Sequence, residues 1–178
     1  VLFDGSNFSS WHHSKSKEPV RWILNNDKSF TIKPGTGNIE TRKEHESVQL
    51  HIEWKSPIEN KGEGQSRGNS GIFFQGRYEV QVLNSYQNST YPDGQAGSIY
   101  KQYIPLVNSM RPTGEWQVYD IVFNAPKLFS LKFLSLIIPL SGSKPACLAR
   151  VSIDSGYDIF LCFIKKEKIS PCSAVLKQ

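Results

Sequence analysis

Val48-Gln49-Leu50-His51-Ile52-Glu53-Trp54-Lys55 decides the fold class. Val48, Leu50, Ile52 and Trp54 alternate with Gln49, His51, Glu53 and Lys55, a period of two that suits a pleated strand and not a helix. One apolar face and one polar face predict a half-buried strand. Upstream, Ser29-Phe30-Thr31-Ile32-Lys33 alternates over a shorter run and ends at Pro34-Gly35-Thr36-Gly37, a tight connection. Downstream, 71–75 and 77–83 read as two strands around Gly76, the second with Tyr78, Val80 and Val82 on one face and Arg77, Glu79 and Gln81 on the other. A further strand is expected over 115–123, where Tyr119, Ile121 and Phe123 alternate with Val118, Asp120 and Val122. Helical periodicity is nowhere convincing. Short alternating strands separated by Gly, Pro and Asn clusters predict an all-β sandwich or jelly roll.

The chain has 178 residues, enough for one core and too few for two large domains. Its formal charge is +5, but residues 1–126 carry 13 basic and 13 acidic side chains, while 127–178 carry 8 and 3. The excess belongs to the tail alone. The patterned part has no basic patch interleaved with aromatics, which argues against nucleic acid as a partner. All four Trp and all four His precede residue 127 and all three Cys follow it, so the two parts differ in composition as well as charge. An odd number of Cys with no C-x-x-C indicates neither a disulfide framework nor a zinc site. The most apolar run, 128–140, is interrupted by Ser130, Lys132, Ser135 and Pro139, so no integral membrane segment is expected. No basic stretch leads into an apolar one after Val1, so no secretory leader is read, and a processed or trimmed chain or a fragment is expected.

Two strands offer chemistry on their polar faces: His51 and Glu53 on one, Arg77, Glu79 and Gln81 on the other. If they share a sheet facing a groove, these five groups converge, and a carboxylate with a histidine can move protons. A solvent-facing sheet shows the same alternation, so that reading stays open beside the catalytic one. His51, Glu53 and Glu79 could also hold a divalent cation, although ligands on two strands without a compact motif make a weak metal signature. Arg67-Gly68-Asn69-Ser70-Gly71 is a second candidate, with an Arg and an Asn for sugar hydroxyls and small residues for close approach; a plain turn explains it equally. It is not a nucleophile elbow, so Ser70 is not expected to act in a triad. Trp54 is expected in the core, Trp11 and Trp116 are open, and His12-His13 is expected to be solvated.

Leu2-Phe3-Asp4-Gly5 with Trp11, then Leu50-His51-Ile52-Glu53-Trp54, Arg67-Gly68-Asn69-Ser70-Gly71-Ile72-Phe73, Tyr78-Glu79-Val80-Gln81-Val82-Leu83 and Gly114-Glu115-Trp116 with Tyr119-Asp120 closely resemble the 3-keto-disaccharide hydrolase domain family. The resemblance covers about residues 2–126, and the order of the blocks makes it specific. It implies a concanavalin-like jelly roll of two antiparallel sheets with a concave carbohydrate groove. It also implies a periplasmic or extracellular bacterial protein that cleaves glycosides oxidised at carbon 3, with an oligosaccharide or glycoside as partner and no resident cofactor, a divalent cation staying open. A 3-keto group acidifies the hydrogen on carbon 2, so a base can remove it while the aglycone leaves carbon 1, with water added afterwards. Carried over to these positions, the resemblance gives Glu79 or His51 as base, Glu53 as partner or acid, and Arg67, Asn69, Gln81, Arg77, Trp116 and Arg111 as substrate or oxyanion contacts.

Two departures qualify the resemblance. Asn84-Ser85 stands where the family usually has Asp-Ser, which favours the alternative of a carbohydrate-binding module without turnover. After Ala125-Pro126 the family normally continues into its closing strands, whereas this chain enters a cysteine-containing tail. The expectation is a domain over 1–126 followed by a divergent or frame-shifted segment, 127–178, with a jelly roll left incomplete at its C-terminal end and sheet edges exposed.

Overall fold

The computed structural model describes residues 1–59 and 61–126, with the backbone of two short strands at 162–163 and 173–175. It is all-β. Among the described residues, ten strands form two five-stranded sheets in which every pairing is antiparallel. The first sheet contains β1 (Trp11–His13), β4 (Ile39–Thr41), β9 (Cys162–Phe163), β6 (Ser70–Phe74) and β7 (Tyr78–Val82), in that spatial order. The second contains β2 (Ile23–Leu24), β3 (Phe30–Thr31), β10 (Ser173–Val175), β5 (Val48–Lys55) and β8 (Gln117–Phe123). Among the described residues, helical structure is confined to two 3₁₀ turns, Gly64–Ser66 and Pro92–Gly94.

The expected strand at 48–55 is β5, and its apolar face is the core face: Leu50, Ile52 and Trp54 are buried. The Trp54 ring meets that of Tyr119 at 5.5 Å on the neighbouring β8. Trp11, left open by the sequence, is buried too, with its indole N–H donating to the Leu2 carbonyl at 2.7 Å. Phe74 of the first sheet stacks on Phe123 of the second, ring centroids 4.8 Å apart, so the two sheets share one apolar core. Ile52 is fully buried within it. Ile52→Val, which removes one methylene, is expected to cost about 0.5–1.5 kcal/mol, read as a lower urea midpoint with unchanged slope.

β6 and β7 form a hairpin as expected around Gly76. Phe74 pairs with Tyr78, so the connection has three residues; Gln75 and Gly76 have φ of 53° and 62°, both positive, and the Arg77 N–H donates to the Phe74 carbonyl at 3.1 Å. In this hairpin Gly71 pairs with Gln81 and Phe73 with Glu79, while Ile72 pairs with Val80. Directly opposed residues share a face. Ile72 and Val80 point into the core, so Gly71, Phe73, Glu79 and Gln81 share the outward face of the first sheet.

β9 lies between β4 and β6, and β10 between β3 and β5, so each sheet takes an interior strand from the tail, where the sequence reading expected strands to be missing and sheet edges exposed. Apart from these two strands, the expectation of a divergent or frame-shifted segment falls outside the described residues. The short β1, β2 and β4 were not expected, because two or three residues are too few to show a period.

Candidate active site

The outward face of the first sheet gathers buried polar side chains. Glu79 is 8% exposed and Gln81 fully buried. The Glu79 carboxylate lies across Gly71: a Cβ at position 71 would stand 2.3 Å from Glu79 Oε1. The absence of a side chain at 71 is what lets the carboxylate lie flat on the sheet. Beside it, along the outer edge of β7, runs the segment 97–100: Val80 bridges to Ile99, the Gln81 N–H donates to the Ser98 carbonyl and the Gly97 N–H to the Gln81 carbonyl, each at 3.0 Å. The Tyr100 backbone N–H donates to the Glu79 carbonyl at 2.9 Å, and the Tyr91 and Tyr100 hydroxyls share a hydrogen bond of 2.7 Å. The Tyr91 ring rests on Gly94, and the Lys101 ammonium sits 3.3 Å from its centroid. Burial holds the Tyr91 phenol well above its ordinary range, aided by the Tyr100 hydrogen bond and the nearby Tyr100, Asp93 and Glu79. Tyr91 therefore keeps its proton near neutrality and is a hydrogen-bond donor, not a base.

Next to Glu79, on the same outward face, runs an amide chain. Gln65 Nε2 donates to the Gly94 carbonyl at 2.8 Å and to Thr90 Oγ1 at 2.9 Å. Asn69 Nδ2 donates to the Gln65 carbonyl at 3.0 Å and to Gln65 Oε1 at 3.1 Å. Gln81 Nε2 meets Gln65 Oε1 at 3.0 Å and Asn69 Oδ1 at 3.4 Å. Asn69 and Gln81, expected as substrate contacts, are thus buried and engaged with Gln65 and with each other.

The five groups that the sequence reading set on one groove do not converge. β5 and β7 belong to different sheets, so His51 and Glu53 lie on the outer face of the second sheet, away from Glu79. There His51 faces Asp120 directly across the β5–β8 pair, Nδ1 to Oδ1 2.6 Å, with Glu53 Oε1 3.9 Å from Nε2. The Asp120 hydrogen bond is the largest influence on the His51 imidazole; burial opposes it, and the charges of Asp120 and Glu53 add to it, so the net effect raises His51 above its ordinary 6.5. The protonated form is the one stabilised, so this pair contributes below 6.5 and loses its contribution as pH rises through the folded-state value. Melting temperatures of the wild type and His51→Asn should therefore differ in favour of the wild type in mild acid and converge in mild alkali.

Arg67 donates to the Gln87 carbonyl and to Thr113 Oγ1, each at 3.3 Å, which ties two loops together. Arg77 is exposed beside the β6–β7 turn, and Arg111 is exposed on the rim of an open cleft of about 500 Å³. Trp116 is half-buried under the Lys55 ammonium, 4.4 Å from its ring centroid. None of the four is joined to Glu79 by a hydrogen bond or ion pair among those described. Asn84 is fully buried and donates to Thr113 Oγ1 at 3.0 Å, a contact in which a carboxylate could only accept.

The same outward face carries a second polar centre that sequence reading missed. His12 and Glu40 are paired across β1 and β4, with Nε2 to Oε1 2.7 Å, and Lys17, at φ 60°, folds its ammonium onto the same Glu40 oxygen. His12 is therefore paired, not solvated. Glu40 stands on β4, three strand spacings from β7, which puts the two backbones roughly 14 Å apart. Among the described residues no three His, Cys, Asp or Glu side chains are grouped to hold a metal ion, and no helix is long and apolar enough to cross a membrane.

Residues 1–138 match the 3-keto-alpha-glucoside-1,2-lyase-like domain family. The chain belongs to that family. The match includes every block on which the sequence resemblance rests, and continues beyond Pro126. A crystal structure of a putative glycosyl hydrolase from Parabacteroides distasonis ATCC 8503 is 37% identical, with a TM-score of 0.80 over 98% of this chain and 80% of that one. A second structure described in the same words and from the same organism is 21% identical, with a TM-score of 0.54 over 70% of this chain and 64% of the other, and shares the fold. No protein of curated function matches the chain.

Proposed function

We propose that this domain cleaves the glycosidic bond of 3-keto-glucosides, by elimination across carbons 1 and 2 or by hydrolysis, at the outward face of the first sheet. The observation that carries this reading is Glu79, a buried carboxyl group laid over Gly71, with the Tyr91–Tyr100 pair beside it on the segment that borders β7. A reaction that removes the carbon-2 hydrogen and protonates a departing oxygen needs a proton-transfer group beside donors for the developing enolate. Glu79 is the first, and the hydroxyls of Tyr91 and Tyr100 are the second. Family membership supplies the substrate class, and the relation to glycosyl hydrolase-like structures supports carbohydrate as the ligand. The two sheets sharing one core support a concanavalin-like jelly roll, to which residues 127–178 add β9 and β10. A periplasmic or extracellular location follows from the resemblance alone.

The test is incubation of the purified chain with a 3-keto-glucoside and with its unoxidised parent, following aglycone release with and without a chelator. Release from the keto sugar only is the expected outcome. Binding of the keto sugar to folded protein without release would replace the enzyme by a carbohydrate-binding module. Chelator sensitivity would add a divalent cation to the site.

A further inference from the structure

The amide chain beside Glu79 has a direction, and that direction fixes where a proton sits. The Gly94 carbonyl can only accept, so Gln65 must turn its –NH₂ toward it at 2.8 Å and its oxygen away. The Gln65 backbone carbonyl likewise can only accept, so Asn69 turns its –NH₂ there at 3.0 Å and its oxygen away. Both side-chain oxygens, Gln65 Oε1 and Asn69 Oδ1, then face Gln81 on one side, at 3.0 and 3.4 Å. Two acceptors call for the two hydrogens of the Gln81 –NH₂. The Gln81 oxygen is left facing Glu79 Oε1 and the Ser70 carbonyl, each at 3.2 Å.

Turning the Gln81 amide over would let it donate to Glu79 and Ser70, but its oxygen would then stand 3.0 Å from Gln65 Oε1, acceptor against acceptor. Turning Gln65 as well would set its oxygen against the Gly94 carbonyl. The reversed arrangement thus moves the conflict along the chain, whereas a single proton on Glu79 converts the Glu79–Gln81 contact into an O–H···O hydrogen bond. Only the Ser70 contact then stays unfavourable. Gln81 is fully buried and Asn69 3% exposed, so water cannot substitute for a missing donor there.

We propose that Glu79 carries its proton in the resting protein, donated to Gln81 Oε1, and so enters the reaction as the acid. The inference rests on the reading of this face as the site of glycoside cleavage only for its last step. In that step the C1–O bond breaks, its electron pair leaves with the oxygen, and the oxygen takes the Glu79 proton. Water accepts the carbon-2 hydrogen, the pair that it leaves forms the C1=C2 bond, and the resulting hydronium returns a proton to the Glu79 carboxylate. The other ionisable groups described around Glu79 are Tyr91, Tyr100, Asp93 and Lys101.

The test is the infrared difference spectrum of the unliganded full chain against Glu79→Gln near neutral pH. The expected result is a protonated-carboxyl C=O band in the wild type that is lost in the variant; a difference confined to carboxylate bands overturns the proposal. Gln65→Met provides a second reading. It removes the anchor, frees the Gln81 amide to turn toward Glu79, and should abolish the same band although Glu79 is intact. Persistence of the band in folded Gln65→Met overturns the chain as its cause. The band without turnover of a 3-keto-glucoside would uphold the protonated Glu79 and reject the proposed reaction, while turnover without the band would do the reverse.

Discussion

Glu79→Gln is expected to lower turnover of a 3-keto-glucoside by about 10²- to 10⁴-fold, the usual contribution of a positioned proton-transfer group. The substitution is chosen for what it keeps. Glutamine has nearly the shape of glutamic acid, and its –NH₂ can donate to Gln81 Oε1 from the place of the acid O–H. The amide chain from Gly94 through Gln65 and Asn69 then stays satisfied. What disappears is a transferable proton. The loss should therefore fall on kcat, with KM little changed and the melting temperature close to that of the wild type. Glu79→Ala is a poorer experiment, because it leaves the buried Gln81 oxygen without a donor, at a cost of about 1–3 kcal/mol, and mixes stability with chemistry. Unchanged kcat in Glu79→Gln would remove Glu79 from the mechanism and with it the present placement of the site.

The strands that could be read from the sequence are the ones long enough to show a period. β5, with eight residues, and β7 and β8 have apolar faces matching the alternation of Leu50–Ile52–Trp54, Tyr78–Val80–Val82 and Tyr119–Ile121–Phe123. β1 and β4 have three residues each, so His12 and Glu40 gave no signal of facing one another, and His12-His13 resembled a solvated turn. Alternation tells which side chains share a face of one strand, but not which strands share a sheet. That is why His51 and Glu53 were grouped with Glu79, although the pairing partner of β5 is β8, and Asp120 is the residue that meets His51. The polar residues of β7 were legible as polar, yet their burial was not. Gln81 reads as a contact from its pattern and becomes a buried brace only because the loops carrying Gln65 and Asn69 cover it. Such cover depends on contacts between residues 12 and 16 positions apart, which no local period records.

Gly71→Ala should separate activity from stability in the opposite sense to most substitutions in a strand. Gly71 lies outside the left-handed region, and the three atoms nearest an added Cβ all belong to the Glu79 side chain: Oε1 at 2.3 Å, with Cδ and Cγ at 2.9 Å. No backbone atom is among them. The strand therefore accepts alanine, and the reduced freedom of the unfolded chain favours the variant by about 0.4–1 kcal/mol before any cost of the shifted side chain. The carboxyl group must lift off the sheet. A displacement of about 1 Å at a reacting group costs on the order of 10²-fold in rate, so kcat should fall by that order while the melting temperature holds or rises slightly. Because the effect passes through Glu79 alone, Gly71→Ala should add little to the loss already present in Glu79→Gln, a non-additivity expected of residues acting as one unit. Full additivity in the double variant would mean that Gly71 serves the substrate directly, as the close approach of a sugar ring to its backbone would require.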